Sequence, residues 1–114
     1  MKIEKFEDIL AWQKAQALAE NIYIALKECR DFSFRDQIQR AVISISNNIA
    51  EGYERRSNKE LKNFLYIAKG SCGEVRSMLY LANTLGYIEK NKFQELSSQA
   101  LEISKILSGF IKTL

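Results

Sequence analysis

Seven residues pose the first chemical question. Lys59, Lys62, Tyr66, Lys69, Gly73, Arg76 and Tyr80 recur at alternating spacings of three and four. On a helix that spacing aligns them along one face. The face is cationic and interleaved with tyrosine, and Arg55 and Arg56 stand just before it. Lysine and arginine attract phosphates by releasing condensed counterions, and tyrosine rings stack on bases. The chemistry on offer is the binding of a polyanion such as RNA or DNA. The competing reading is a solvated face whose lysines keep the protein soluble.

A second constellation is polar: Ser44, Asn47, Asn48 and Glu51, then Ser71 and Glu74. Ser44, Asn48 and Glu51 share one side of a helix at i, i+4 and i+7. Ser71 and Glu74 could face them from the next helix. Read as an enzyme, the two carboxylates would act as acid and base. Read as structure, they bond helix ends or arginines and hold helix register. The chain has no histidine. That removes the usual general base, the commonest metal ligand and the Glu-x-x-His of di-metal carboxylate bundles. We therefore expect no catalysis, no metal and no cofactor. Cys29 and Cys72 are the only cysteines. Neither has a histidine to activate it, and no cluster has metal-ligand spacing. Both are expected to be reduced, with Cys72 a small core residue. Trp12, beside Gln13, is either an interface anchor or ordinary core packing.

The elements that must position these groups are helices. The 114 residues make one domain, spanning 1–114, with 46% hydrophobic and 27% charged residues and no proline. A chain without proline suits long helices and short loops. The net charge of +3 is too mild to imply nucleic acid by itself, so its distribution matters more. No stretch approaches the ~18 apolar residues of a membrane span. The opening MKIEKFEDIL lacks the apolar region of a signal peptide, and a cytoplasmic location is expected.

Periodicity predicts four helices and no strand. In the first, from about Phe6 to Lys27, Phe6, Ile9, Leu10, Ala17, Leu18, Ile22, Ala25 and Leu26 recur on one face. After a loop around Arg30 to Ser33, the second runs from about Phe34 to Tyr53, with Ile38, Ala41, Val42, Ile45 and Ile49 inward. Gly52 is expected to end it in the left-handed conformation. Ser57 and Glu60 form a capping box for the third, which runs to about Leu85 before Gly86. Its inner face is Leu61, Phe64, Leu65, Ala68, Cys72, Val75, Leu79 and Ala82. Gly70 and Gly73 lie inside it at about 0.8–1.0 kcal/mol each relative to alanine, which suggests close approach of another backbone. The fourth starts near Asn91, with a heptad seam of Phe93, Leu96, Ala100, Ile103, Leu107, Phe110 and Leu114. Short connections favour antiparallel neighbours, hence an all-α, up-down-up-down four-helix bundle. Ile67 and Met78 on the third helix, and Ile106 and Ile111 on the fourth, widen the apolar surface beyond one core. They point to a homo-oligomer rather than a fatter monomer.

The run NNIAEGYERRSNKE, followed by FLYIAKGSCGEVRSMLYLANTLGYI, resembles the bacterial four-helix-bundle family encoded in 23S rRNA intervening sequences. Phe6, Trp12, Gln13 and Ala15 match its opening. Ser44, Ile45, Asn48 to Gly52, Ser57, Glu60, Ala68, Gly70, Ser71 and Glu74 match its central signature, and Leu85, Gly86 and Tyr87 the end of the third helix. Members usually have a longer first loop with a proline; ECRDFSF is short and has none. The resemblance implies a ring, typically a homopentamer, and no settled activity. A branch similar in fold, the accessory variability determinant proteins of diversity-generating retroelements, forms pentameric barrels with positive surfaces that bind a reverse transcriptase and nucleic acid.

The expectation is a non-enzymatic homo-oligomer that binds RNA or other nucleic acid. Arg55, Arg56, Lys59, Lys62, Lys69 and Arg76 would hold phosphates, with Tyr66 and Tyr80 stacking. Asn48, Glu51, Gly52, Ser71 and Glu74 are expected at the helix 2–helix 3 contact or a subunit interface. The alternative is a scaffold whose ring presents surfaces to a partner protein.

Overall fold

A computed structural model describes residues 2–114, and these contain only helices, turns and loops. A 3₁₀ turn at Phe6–Asp8 precedes α1 (Leu10–Ala25), α2 (Phe32–Glu54), α3 (Asn58–Thr84) and α4 (Lys90–Lys112). Each helix packs on its chain neighbour, and α1 closes on α4, giving a four-helix bundle of 42 × 22 × 19 Å. One core runs through it. Leu18 and Ile22 of α1, Ile38, Ile45 and Ile49 of α2, Leu65 and Leu79 of α3, and Leu96, Ile103 and Leu107 of α4 are all fully buried. Side chains of this size contribute about 1.5–3 kcal/mol each when removed from water.

The first helix is shorter than its periodicity suggested. The Asp8 carboxylate accepts from the backbone N–H groups of Glu4 and Lys5, at 3.0 and 3.3 Å, and closes the 3₁₀ turn. Ile9 then adopts extended backbone and buries its side chain before α1 begins. The break rotates the helix face inward through Ala11, Ala15, Leu18 and Ile22. Leu10, expected inside, is 52% exposed, and Ala17 is also on the surface. The second helix starts earlier than expected because Asp31 caps it, accepting from Phe34 N–H at 3.1 Å. On α4 the buried row is Leu96, Ala100, Ile103, Leu107 and Ile111, while Phe93, Phe110 and Leu114 are half-buried. The straight-helix period of 3.6 carries the row from a strict heptad onto Ile111.

The α2–α3 corner also departs from the sequence reading. α2 runs through Gly52 to Glu54, and the left-handed residue is Arg56, with φ 58°. Gly52 is buried for a different reason: a Cβ there would lie 2.6 Å from the Phe64 Cβ and 3.2 Å from Leu61 Cδ1. The absent side chain lets α2 and α3 meet. Gly70 and Gly73, expected to admit a neighbouring backbone, have nothing within 4 Å of an added Cβ. Ser57 caps α3, its hydroxyl accepting from Glu60 N–H at 3.3 Å, but the Glu60 carboxylate takes Arg55 instead of completing the expected capping box; Gly86 ends the region with φ 78°.

The two glycines therefore respond oppositely to the same change. Gly52→Ala is expected to lower stability by about 1–3 kcal/mol, because the neighbouring Cβ cannot yield without moving the helices apart. Gly70→Ala is expected to raise it by up to about 1 kcal/mol, by helix propensity alone. Urea denaturation of the two variants checks the pair.

Candidate nucleic-acid interface

The rotation of α3 about its own axis decides what its polar residues do. Ser71 is turned toward α2, where its hydroxyl donates to Ser44 Oγ at 3.0 Å. Tyr80 is turned toward α4, where its ring meets Phe93 edge-on at 4.9 Å between centroids. Between these fixed points the sequence's basic stripe falls on the α4 side. Lys59, Lys62 and Gly73 are exposed, and Lys69 and Arg76 are half-buried. Tyr66 and Tyr80 are 56% and 60% exposed. Among the described residues, none of Arg56, Lys59, Lys62, Lys69 and Arg76 forms an ion pair.

Arg55 behaves differently from the rest of its predicted set. Its guanidinium donates to Glu51 at 2.8 Å and to Glu60 at 3.3 Å, and it lies 5.1 Å over the Phe64 ring. The Glu51 hydrogen bond, more than any other partner, holds it in the charged form. Arg55 thus ties the end of α2 to the start of α3. Arg56 reverses the chain and leaves its own side chain in solvent.

The polar signature divides. Asn48 Nδ2 donates to the Ser44 carbonyl at 2.7 Å and to Ser44 Oγ at 2.8 Å. With Ser71 these residues form a small network across the α2–α3 contact. Glu51, Glu74 and Asn47 are exposed and stand outside it, Glu51 paired with Arg55. The pairing of Glu51 and Glu74 that an acid–base site would need is not present.

Sequence reasoning missed the far wall of the stripe. An open groove of ≈ 290 Å³ runs between α3 and α4, bounded by Arg76 and Tyr80 on one side and by Phe93, Gln94, Ser97 and Ser98 on the other. None of these α4 residues stands out in the sequence, where Phe93 reads as core and the serines as surface. The one signal was the run of hydroxyls on α4, which has meaning only once α3 is known to lie beside it.

A model of the 23S rRNA-intervening sequence protein family matches residues 7–109. The chain belongs to that family. Among solved structures it is similar to a protein of unknown function from the S23 ribosomal protein family of Bacteroides thetaiotaomicron. The two share 29% identity over 90% of this chain and 99% of the other, with a TM-score of 0.84. No curated protein matches the chain.

Two further features of this family member bear on the bundle ends. Trp12 is half-buried with its ring edge-on to Phe6 at 5.3 Å, and Gln13 Nε2 donates to the Glu7 carbonyl at 2.8 Å. Trp12 is thus packed against the core, and the opening motif fastens the 3₁₀ turn to α1. At the other end, Tyr87 OH donates to Asp31 Oδ2 at 2.6 Å and its ring meets Phe34 edge-on at 5.4 Å. That contact joins the α3–α4 loop to the cap of α2. Cys72 is buried, and desolvation pushes its thiol up to about 12, so it is inert at neutral pH. Among the described residues no three His, Cys, Asp or Glu side chains are grouped to hold a metal ion. No helix there is long and apolar enough to cross a membrane.

The Tyr87–Asp31 bond carries a pH signature. The Tyr87 hydroxyl, and then the Phe34 N–H, hold Asp31 below the usual carboxylate range. The same carboxylate pushes Tyr87 up to about 12. A raised acid in the folded state stabilises below its unfolded pKa and loses that contribution as pH rises through the folded value. Asp31 works in the other direction, stabilising above its unfolded pKa of about 3.9 and losing that in acid. The native protein is expected to lose stability between about pH 10 and pH 12 more steeply than Tyr87→Phe, as followed by Tm across that range.

Proposed function

We propose that this protein is a non-enzymatic homo-oligomer that binds RNA or another nucleic acid through the α3 face. The observation that carries the reading is the sorting of charge about α3. Its cations toward α4 are free of carboxylates, whereas its acids lie toward α2: Glu60 is paired with Arg55, and Glu74 sits roughly 140–160° around the helix from Lys69 and Arg76. Unpaired cations on a rigid helix suit phosphate binding, and the half-buried Lys69 and Arg76 have less side-chain freedom to lose when the phosphate arrives. Lys59, Lys62, Lys69 and Arg76 hold phosphates in this reading, with Arg56 contributing from the corner. Arg55 supports them from its two carboxylates. Membership of a family named for its rRNA setting is compatible with an RNA ligand.

Self-association is the second part of the proposal. Ile3, Leu10, Ile106, Gly109 and Phe110 line an open, almost wholly apolar groove of ≈ 300 Å³ between α1 and α4. Ile67, Leu81 and Leu85 expose a second apolar strip on α3. The α1–α4 groove lies away from the basic face of α3, so a ring formed through it could leave that face in water. The same apolar surfaces favour the other reading, in which the assembly is a scaffold for a partner protein and the lysines provide solubility. A cytoplasmic setting fits either role.

Titrating the protein, freed of co-purified nucleic acid, against labelled RNA at several salt concentrations separates the two. Four phosphate contacts are expected to give a log–log salt slope of about −3 to −4. Lys62→Glu with Lys69→Glu is expected to abolish binding at physiological salt. Unchanged binding by that variant removes the stripe assignment, and no binding at low salt leaves the scaffold.

A further inference from the structure

We infer that the α3–α4 groove beside Arg76 and Tyr80 is a cleft for single-stranded rather than duplex nucleic acid. This rests on the nucleic-acid reading above and assigns its ligand. Two cation–aromatic pairs flank Gly73 at helical-neighbour spacing: Tyr66 with Lys69, and Arg76 with Tyr80. The tyrosines are about 21 Å apart along the axis, a span of several nucleotides. Gly73, exposed one turn before Arg76 with nothing within 4 Å of an added Cβ, keeps the helix surface beside the groove clear for a strand. A glycine in mid-helix weakens the helix; at Gly73, on the face shared with Arg76 and Tyr80, it also leaves room for a ligand to approach, whereas the equally open Gly70 lies further around the helix.

The groove walls match a nucleotide's two ends. Tyr80 is braced edge-on by Phe93, which fixes its ring while leaving it 60% exposed, a preset platform for a base. Base stacking tolerates any sequence, since every base has a π-face. Arg76, free of any ion pair among the described residues, supplies the charge for a phosphate beside that platform. From α4, Gln94, Ser97 and Ser98 add neutral donors and no carboxylate. The Ser97 hydroxyl is buried with no hydrogen-bond partner, an unfavourable state that rotation about χ1 toward a groove-bound phosphate would relieve. The carboxylates of α4 are engaged elsewhere, Glu102 with Lys14 at 3.2 Å and Glu95 with Lys92 at 3.1 Å.

A duplex cannot use this arrangement. Its base faces are hidden in the stack, so none can lie on the Tyr80 ring. A flexible strand can follow the floor and splay a base onto Tyr80. The groove is open, and Lys69, Lys62 and Lys59 continue the positive track along α3 beyond it. Those features favour a chain over an isolated nucleotide.

The test compares a labelled 12-nucleotide RNA, its DNA equivalent and a blunt duplex of the same sequence. The native protein, Gly73→Gln, Tyr80→Leu and the Lys62→Glu/Lys69→Glu double variant are each titrated. Gly73→Gln is expected to fold with a higher Tm and yet bind the single strands at least tenfold more weakly, with duplex binding changed less than twofold. Tyr80→Leu is expected to weaken single-strand binding about five- to a hundredfold. If duplex binds as tightly as single strand and neither groove variant matters, while the double lysine variant still loses binding, the cleft is overturned and the basic face stands. If no nucleic acid binds the native protein, the cleft falls together with the reading it rests on.

Discussion

The contact on which the rest depends is the approach of α2 to α3 at Gly52. A Cβ at that position would be 2.6 Å from the Phe64 Cβ, so only glycine permits the spacing observed. Further along the same pair of helices, the Ser44–Ser71–Asn48 hydrogen bonds join them a second time. Two points of attachment along a helix fix its rotation as well as its position. With the rotation of α3 set, Leu65, Ala68, Cys72, Val75 and Leu79 fall into the core, and the side facing α4 receives the lysines. Packing thus places the charge, because in a close-packed interior a helix cannot turn without emptying one row of holes and overfilling another.

Charge placement then follows from what each ionic group finds nearby. Arg55 lies within reach of both Glu51 and Glu60 and closes the corner. These pairs are half-exposed, and such pairs contribute modestly to stability. Their larger effect is on availability: Glu60 is occupied on the α2 side of α3. The α4 carboxylates pair with Lys14 and Lys92. A net charge of +3 spread evenly would produce a weak field, whereas the same charge gathered beside one groove gives a local positive potential. Such a surface depends strongly on ionic strength, since exposed charges are screened over about 10 Å at 0.1 M salt.

Membership of the 23S rRNA-intervening sequence protein family establishes kinship, and the solved relative shares the architecture over almost its whole length. Neither fact assigns an activity, because a fold carries function only through the groups grafted on it. The bundle has separate surfaces suited to separate tasks. A groove walled by Arg76 and Tyr80 lies between α3 and α4, and an apolar groove lies between α1 and α4. A homo-oligomeric nucleic-acid-binding protein needs such a division, since a surface cannot be buried against another copy and remain open to a strand.

Much of this molecule is determined by its sequence alone. The period of 3.6, the Ser57 cap, the turn at Gly86 and the absence of proline specify four helices and their order. The spacing of Lys59, Lys62, Lys69 and Arg76 specifies that they share a face. These are local properties, decided within a few turns of one helix. Only tertiary structure decided the rest. The reason for Gly52 and the α4 wall of the groove depend on residues of another helix, and the diversion of Arg55 to Glu51 and Glu60 depends on how the α2–α3 corner folds. The break at Ile9, which turns Leu10 outward, follows the local turn closed by Asp8, which the hydrophobic period does not signal. Periodicity gives the face of a helix, but the neighbour that meets the face is set by how four helices fill one core.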